Sequence, residues 1–207
     1  MTALFAAVLL AAPAPAEVLK SLQATVRLGG VAISRDGKRI AWVEQVRTPD
    51  GPSWDESIIQ VRDESGAVKH ITAATGGKPS DEGDLDFSPD GQSLAFMSDA
   101  ITPRQPQLYV ADLRTGKVQQ QTYGSGHMSR PRFSPDGKVI AILYMYGALE
   151  ALGPLRAAAR QTGVVGEKPV EQRLALVLFD GTGTLKPVGP QDLFIYEYGW
   201  RDRKSVV

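Results

Sequence analysis

The stretch FSPDGK at residues 133–138 decides the fold, because near-copies of it, FSPDGQ at 87–92 and ISRDGK at 33–38, occur twice earlier in the chain. Successive copies lie about 50 residues apart, and a short apolar run follows each of them. A loop that binds phosphate or carries out catalysis is normally needed once. A motif that recurs at a regular period therefore indicates a structural repeat.

Each hexapeptide predicts the turn of a β-hairpin. In the second and third copies proline sets φ at the first central turn position, aspartate favours the second, and glycine can adopt the left-handed conformation that follows. Arg35 replaces proline in the first copy, which a type I turn tolerates. The runs that follow have the β-branched and aromatic content of strands: RIAWVEQV at 39–46, SLAFMSD at 93–99 and VIAILYMY at 139–146.

A second hairpin follows in every repeat. The stretches 57–72, 107–122 and 174–189 each contain an apolar alternating strand, a turn with glycine and a more polar strand. Two hairpins supply four strands per repeat, which is the signature of a β-propeller blade. We therefore predict an all-β partial propeller of three four-stranded antiparallel blades, roughly at residues 28–75, 80–123 and 128–189.

The end of the sequence predicts the start of a fourth blade at 193–207, with Trp200 at the repeat position of Ile33, Phe87 and Phe133. Four aromatic residues alternate there, and we expect them on one face of a strand that packs into the core: Phe194, Tyr196, Tyr198 and Trp200.

An insertion at 147–172 contains PLRAAARQTG, which predicts one short helix. Closed propellers need at least about four blades. We therefore expect the chain to be the front of a longer protein, and residues 17–207 alone to associate or to be poorly soluble.

The first sixteen residues, MTALFAAVLLAAPAPA, are apolar and end in Ala14-Pro15-Ala16, which is typical of a signal-peptide cleavage site. No lysine or arginine precedes the apolar core, so a disordered or buried N-terminal strand is the alternative. The chain contains no cysteine, which excludes disulfides, thiolate metal sites and cysteine nucleophiles. We expect residues 1–16 to be a signal peptide, 17–207 to form the incomplete propeller, and the mature protein to be periplasmic or secreted without a membrane anchor.

The charge composition gives no indication of binding to nucleic acid or to anionic lipid. The 23 basic residues balance 23 acidic ones, and the basic residues are scattered along the sequence. Nucleic acid is therefore not expected as a partner.

Residues that carry chemistry are few. Ser125 and His127 lie close together in YGSGHMS at 123–129, but the Gly-x-Ser-x-Gly elbow is absent, so a polar loop between blades is expected there. His70 is expected on a solvated outer strand, and two isolated histidines do not make a transition-metal site. We assign no catalytic residue, no cofactor-binding residue and no metal ligand.

Two acidic features are weaker candidates. SDEGDLD at 80–86 lacks the alternating ligands of a calcium loop, so we expect a solvated loop between blades, with calcium binding as the alternative. Glu197 alternates with the aromatic residues around it, and we expect it to point away from them, where it is a candidate to line a channel mouth.

The motifs ISRDGKRIAWV, FSPDGQSLAFM and FSPDGKVIAIL, together with PQLYVADLRTGKVQQQT and IYEYGW, resemble propeller repeats of the prolyl oligopeptidase family, in its bacterial acylaminoacyl-peptidase and dipeptidyl-peptidase-like branches. The resemblance runs from about Glu17 to Trp200. It implies a propeller that gates and selects peptide substrates, whereas the family's Ser-Asp-His triad lies in a C-terminal α/β-hydrolase domain. No motif of that domain occurs in this sequence. The chain alone is therefore expected to hydrolyse nothing and to need no cofactor.

Two further points follow from the resemblance. In dipeptidyl-peptidase relatives a propeller glutamate binds the substrate amino terminus, and Glu197 is similar to it, although the acidic pair of the family is missing. The repeat motif is also shared with the periplasmic propeller protein of the Tol system. A Tol-type scaffold for protein–protein interaction is therefore the alternative function, and a peptide or a protein partner is expected in both cases.

Overall fold

The computed structural model of the chain contains three four-stranded antiparallel sheets, and it describes residues 26–46, 56–78, 80–146, 171–178, 182–190 and 193–201. In every sheet each strand pairs with its neighbour in the sequence. The first sheet, blade 1, consists of β1 (Arg27–Ile33), β2 (Ile40–Val46), β3 (Glu56–Arg62) and β4 (Val68–Ile71). Blade 2 consists of β5 (Glu82–Phe87), β6 (Ser93–Ser98), β7 (Gln107–Asp112) and β8 (Val118–Gln120). Blade 3 consists of β9 (Gly126–Phe133), β10 (Val139–Tyr146), β11 (Arg173–Leu178) and β12 (Leu185–Val188).

This architecture confirms the predicted all-β partial propeller. The described residues contain no helix. The short helix predicted in PLRAAARQTG, at 154–163, lies outside the described residues. Across the described part of the chain, no helix has the length and apolar character needed to cross a membrane.

The three hexapeptides form the same turn, as the sequence predicts. In blade 2 the Gly91 amide donates to the Ser88 carbonyl oxygen at 2.8 Å, and Gly91 has a φ of 67°. The Ser88 hydroxyl donates to Asp90 Oδ1 at 2.6 Å and accepts from the Ser93 amide at 2.9 Å. The other two turns repeat these serine–aspartate bonds through Ser34 with Asp36 and Ser134 with Asp136.

The core lies between the blades, because neighbouring sheets pack face to face. In β6, Leu94 and Phe96 pack toward blade 1, whereas Ala95 and Met97 pack toward blade 3. All four side chains are buried. The sequence of β6 is therefore a continuous run of apolar residues, because the strand is covered on both faces. Phe96 also stacks on Tyr109 of β7, with ring centroids 5.8 Å apart.

The prediction that 193–200 forms a regular strand with its aromatic residues on one face is wrong. Residues 193–199 form no regular strand, and Phe194 and Tyr196 remain 42% and 74% exposed. Tyr198 and Trp200 do pack against blade 3, together with Ile195. The contacts at 195, 198 and 200 break the period of two, since that alternation holds only where a strand is paired in a sheet.

We predict that Ser88→Ala lowers the free energy of unfolding by about 1 kcal/mol, because it leaves the half-buried Ser93 amide without its acceptor. Denaturant titration measures the change. The control is Ser65→Ala, which removes the same hydroxyl from an exposed serine–aspartate turn and should cost about 0.5 kcal/mol or less. Equal losses in the two variants would contradict a structural role specific to the repeated turn.

Candidate functional site

The first strands of the three blades lie side by side and form the inner edge of the arc. β5 contacts both β1 and β9. Each of these strands has a register shift in its pairing, a β-bulge, near its middle. At two of the bulges a residue other than glycine has a positive φ, 54° at Asp84 and 53° at Arg130. Bulges redirect side chains, and they are common next to functional sites.

The carboxylates of β5 bind backbone amides of β9. Asp84 Oδ2 accepts from the Arg130 amide at 2.9 Å, and Asp86 Oδ2 accepts from the Phe133 amide at 2.7 Å. Arg132 Nη1 lies 3.6 Å from Asp86 Oδ1. Burial raises the pKa of the Asp86 carboxyl, and the Phe133 amide and the Arg132 charge oppose that rise. Side chains of one inner strand thus satisfy amides on the next.

The segment 193–201 continues this pattern beyond β9. The Tyr198 hydroxyl bonds to the Arg130 carbonyl oxygen and to the Ala141 carbonyl oxygen, the latter at 2.7 Å. Trp200 Nε1 donates to the Arg132 carbonyl oxygen at 3.3 Å. Burial raises the pKa of the Tyr198 hydroxyl, which therefore stays protonated and able to donate.

A cleft of about 230 Å³ opens between blades 2 and 3, at the end of the strands opposite the hexapeptide turns. The side chains that give it chemical character are two carboxylates, one imidazole, one hydroxyl and two thioethers, from Asp81, Asp84, His127, Ser129, Met97 and Met128. Asp81 Oδ1 accepts from the Ser57 hydroxyl at 2.9 Å, which fixes that carboxylate at the edge of the cleft. The two exposed carboxylates suit a ligand with a cationic group.

A second groove, of about 470 Å³, lies between the turns of blades 1 and 2. Four acidic and four basic side chains line it. They are largely matched within the groove: Lys38 Nζ lies 3.2 Å from Glu64 Oε2, and Lys69 Nζ donates to the Leu113 carbonyl oxygen at 3.2 Å. The serine hydroxyls of the turns are the main cause that lowers the pKa of the Asp36 and Asp90 carboxyls. This groove therefore offers no excess of either charge to a ligand.

The structure corrects two sequence interpretations near the cleft. The stretch 80–86 is not a solvated loop, because it enters β5 at Glu82, whose side chain is 1% exposed. The polar stretch 123–129 is only partly a loop, because β9 begins at Gly126 and brings His127 into the cleft. His70 lies exposed in β4, as predicted, and Glu197 is exposed.

No group of three or more His, Cys, Asp or Glu side chains that could hold a metal ion occurs among the described residues. The three aspartates of this stretch instead accept hydrogen bonds from the protein. Asp81 accepts from the Ser57 hydroxyl, Asp84 from the Arg130 amide and Asp86 from the Phe133 amide.

Glu82 is the buried residue that the sequence interpretation missed. Its Oε1 accepts from the Ala73 amide at 2.8 Å, the Ser98 hydroxyl at 3.0 Å and the Thr72 hydroxyl at 3.1 Å. Its Oε2 is buried and has no hydrogen-bond partner within the described residues. Burial raises the pKa of this carboxyl against the effect of these donors. In the alignment of the repeats, Glu82 occupies the same position as Leu28 in blade 1 and Met128 in blade 3. The apolar residues at that position were the sequence signal that the Glu82 side chain is buried.

No established protein-family profile matches the chain. Among solved structures it is similar to acylaminoacyl peptidase from Pyrococcus horikoshii, with a TM-score of 0.60 and 15% identity over 90% of this chain and 28% of that one. It is also similar to the β-propeller domain of the trilobed protease from Pyrococcus furiosus, with a TM-score of 0.57 and 15% identity over 87% of this chain and 47% of that domain. These likenesses confirm the propeller resemblance at the level of fold.

TolB from Acinetobacter baumannii is more similar in sequence, at 23% identity over 80% of this chain and 33% of that one, but its TM-score is 0.48. The chain thus spans between about a quarter and a half of the length of these structures.

We predict that Glu82→Gln stabilises the protein at neutral pH. A buried carboxyl with a raised pKa favours folding most below its unfolded pKa near 4.5, and this contribution is lost as pH rises through the folded pKa. Glutamine keeps an oxygen for the Thr72, Ala73 and Ser98 donors and carries no charge. The variant's advantage in unfolding free energy should therefore grow from pH 4 to pH 7, by about 1.4 kcal/mol for each unit by which the pKa is raised.

Denaturant titrations at several pH values measure this difference. Glu64→Gln, which removes an exposed carboxylate, serves as the control and should stay within about 0.5 kcal/mol of the wild type. An advantage of Glu82→Gln that shrinks as pH rises would show that the carboxylate is favoured in the folded protein.

Proposed function

We propose that this chain is the non-catalytic propeller portion of an exported serine peptidase, in which it gates and selects peptide substrates. The single observation that carries the proposal is the fold likeness to peptidase propellers at TM-scores of 0.57 and 0.60. The repeat motifs, which resemble those of the prolyl oligopeptidase family, support it from the sequence.

The cleft between blades 2 and 3 is the place where a peptide would be selected. Asp81 and Asp84 bring two carboxylates to it, and each of them uses one named oxygen for a bond within the protein. The other oxygens attract a cationic group, such as a lysine or arginine side chain. Met97 and Met128 are buried in the core between blades 2 and 3 and form the floor beneath these carboxylates.

The hydrolytic chemistry of the proposed peptidase is assigned to a separate hydrolase domain. Serine chemistry needs a nucleophile, a base within hydrogen-bond reach and donors for the oxyanion. His127 stands in the cleft beside Ser129, but both belong to β9, at positions 127 and 129 on one face of that strand.

Export is proposed from the apolar leader that ends in Ala14-Pro15-Ala16.

We predict that the purified chain neither turns over aminoacyl or dipeptidyl chromogenic substrates nor reacts with a fluorophosphonate probe. The physical reason is that an unactivated serine is a weak nucleophile at neutral pH. Release of chromophore together with stoichiometric labelling of one serine would overturn the assignment of the chemistry to another domain. Intact-protein mass spectrometry measures the labelling directly.

We also predict that the cleft prefers cationic peptides. A fluorescent peptide with a central lysine should bind several-fold more tightly than its glutamate analogue, because the carboxylates of the cleft attract the one and repel the other. Asp84→Asn should reduce this preference while its amide oxygen still accepts from the Arg130 amide.

Asp63→Asn is the matched control, since Asp63 lies in an exposed turn of blade 1 away from the cleft. Fluorescence anisotropy at two salt concentrations measures the affinities. Equal binding of the two peptides to the wild type would contradict the cleft as a selecting site.

A further inference from the structure

Two buried side-chain oxygens on the side of blade 2 that faces blade 1 have no hydrogen-bond partner within the described residues. They are Glu82 Oε2 of β5 and the Tyr109 hydroxyl of β7, whose residues are 1% and 5% exposed. A buried polar group that stays unpaired lowers the stability of the fold, so such groups in native proteins are nearly always satisfied. Both atoms therefore need a partner.

The two oxygens lie in the same region of that face. The Tyr109 ring stacks on Phe96 of β6, and Ser98, two residues further along β6, donates to Glu82 Oε1 at 3.0 Å. Side chains two residues apart in a strand share a face. Burial and then the nearby Glu82 carboxylate raise the pKa of the Tyr109 hydroxyl, which therefore keeps its proton. The two groups are neighbours, yet they are not hydrogen-bonded to each other.

The partner of Glu82 Oε2 has to be able both to donate and to accept. Glu82 Oε1 already accepts from the Thr72 hydroxyl, the Ala73 amide and the Ser98 hydroxyl. A proton that the carboxyl takes up is therefore held on Oε2, which is an acceptor when the group is ionised and a donor when it is neutral. A water molecule fits both states, because it donates and accepts.

We propose that one buried water molecule bridges Glu82 Oε2 and the Tyr109 hydroxyl at the junction of blades 1 and 2. Bridging water commonly joins polar groups that are too far apart for a direct bond, and a buried water needs at least about two polar partners. It accepts from the Tyr109 hydroxyl and donates to the carboxylate. Because Thr72 and Ala73 of blade 1 hold the other oxygen of that carboxylate, the water extends a polar network between the two blades.

The corresponding positions of blade 3 are both apolar. Met128 occupies the repeat position of Glu82, and Ala175 is the counterpart of Tyr109 in the pairing of the second strand with the third. Met128 and Ala175 are buried in the apolar core between blades 2 and 3. Apolar sites inside proteins stay dry, whereas polar ones hold water. The water site is therefore a property of the junction of blades 1 and 2 that the next junction does not share.

The first test is the sign of the stability change in Tyr109→Phe, measured by denaturant titration. The variant keeps an aromatic ring beside Phe96 and removes the hydroxyl, so loss of the water bridge should lower the equilibrium constant of folding about five-fold. Removal of a hydroxyl that has no partner would instead raise this constant. An unchanged or raised constant therefore overturns the proposal.

Tyr123→Phe is the matched control for this measurement. It removes the same hydroxyl from an exposed tyrosine of blade 2, which donates to the Gln120 carbonyl oxygen at 3.3 Å. The folding constant should change by less than about two-fold. A loss in Tyr123→Phe as large as that in Tyr109→Phe would show that the effect is not specific to the buried site, and would count against the bridge.

The second test counts the water itself. Magnetic relaxation dispersion of oxygen-17 water detects molecules that stay in the protein longer than its rotational tumbling time. The number of such molecules should be one lower in Tyr109→Phe than in the wild type, and the same in Tyr123→Phe as in the wild type. Equal numbers in Tyr109→Phe and the wild type would show that the Tyr109 hydroxyl holds no water, and would overturn the proposal.

A third measurement distinguishes water from a monovalent cation, which a buried carboxylate also attracts. Thermal unfolding is followed in sodium, potassium and choline chloride at equal ionic strength, and the three salts should act equally on the wild type and on Tyr109→Phe. A higher midpoint with one alkali cation, present in the wild type and lost in Tyr109→Phe, would assign the site to that cation and overturn the water. The proposal does not depend on the proposed function, because the site is separate from the cleft between blades 2 and 3.

Discussion

Packing of one sheet against the next is the interaction on which the rest of this structure depends. A four-stranded sheet has two faces, and neither can be buried within the sheet itself. In blade 2 both faces are buried by neighbouring blades, because successive side chains of β6 alternate: Phe96 packs toward blade 1 and Met97 toward blade 3. Stability is therefore shared between neighbours, as in other repeat architectures. Among the described residues, Phe87 and Phe133 are buried between two sheets, whereas Ile33 at the same repeat position of blade 1 is 62% exposed.

The polar contacts at the inner edge follow from the same arrangement. A bulge removes backbone groups from the ladder, and those groups need other partners. The Arg130 and Phe133 amides donate to carboxylates of the preceding blade. The Arg130 carbonyl oxygen accepts from the Tyr198 hydroxyl of the following segment. The bulge of β9 is thus stabilised by blade 2 and by the segment after blade 3, which links the geometry of this inner strand to its neighbours along the chain.

The turns and strands of the repeat were predictable because local chemistry determines them. The serine, aspartate and glycine of each hexapeptide make their bonds within six residues, so the motif alone is sufficient. Glu82 was missed because its donors come from Thr72, Ala73 and Ser98, which only the packing of blade 1 on blade 2 brings together. The period at 193–200 was wrong for a similar reason, since alternation requires a paired strand and this segment rests on side-chain contacts.

A binding site on a repeat protein has to break the equivalence of the repeats. The hexapeptide turns are nearly identical in the three blades, and they carry the fold. The inner strands differ: the repeat position of Asp84 is Gly30 in blade 1 and Arg130 in blade 3. The cleft combines Asp84 of one blade with His127 of the next, and the equivalent positions of blades 1 and 2 are occupied by Gly30 and Asp81 instead. The selectivity that we propose for the cleft therefore rests on positions at which the repeats differ, and at the junction between blades 2 and 3 they differ in charge.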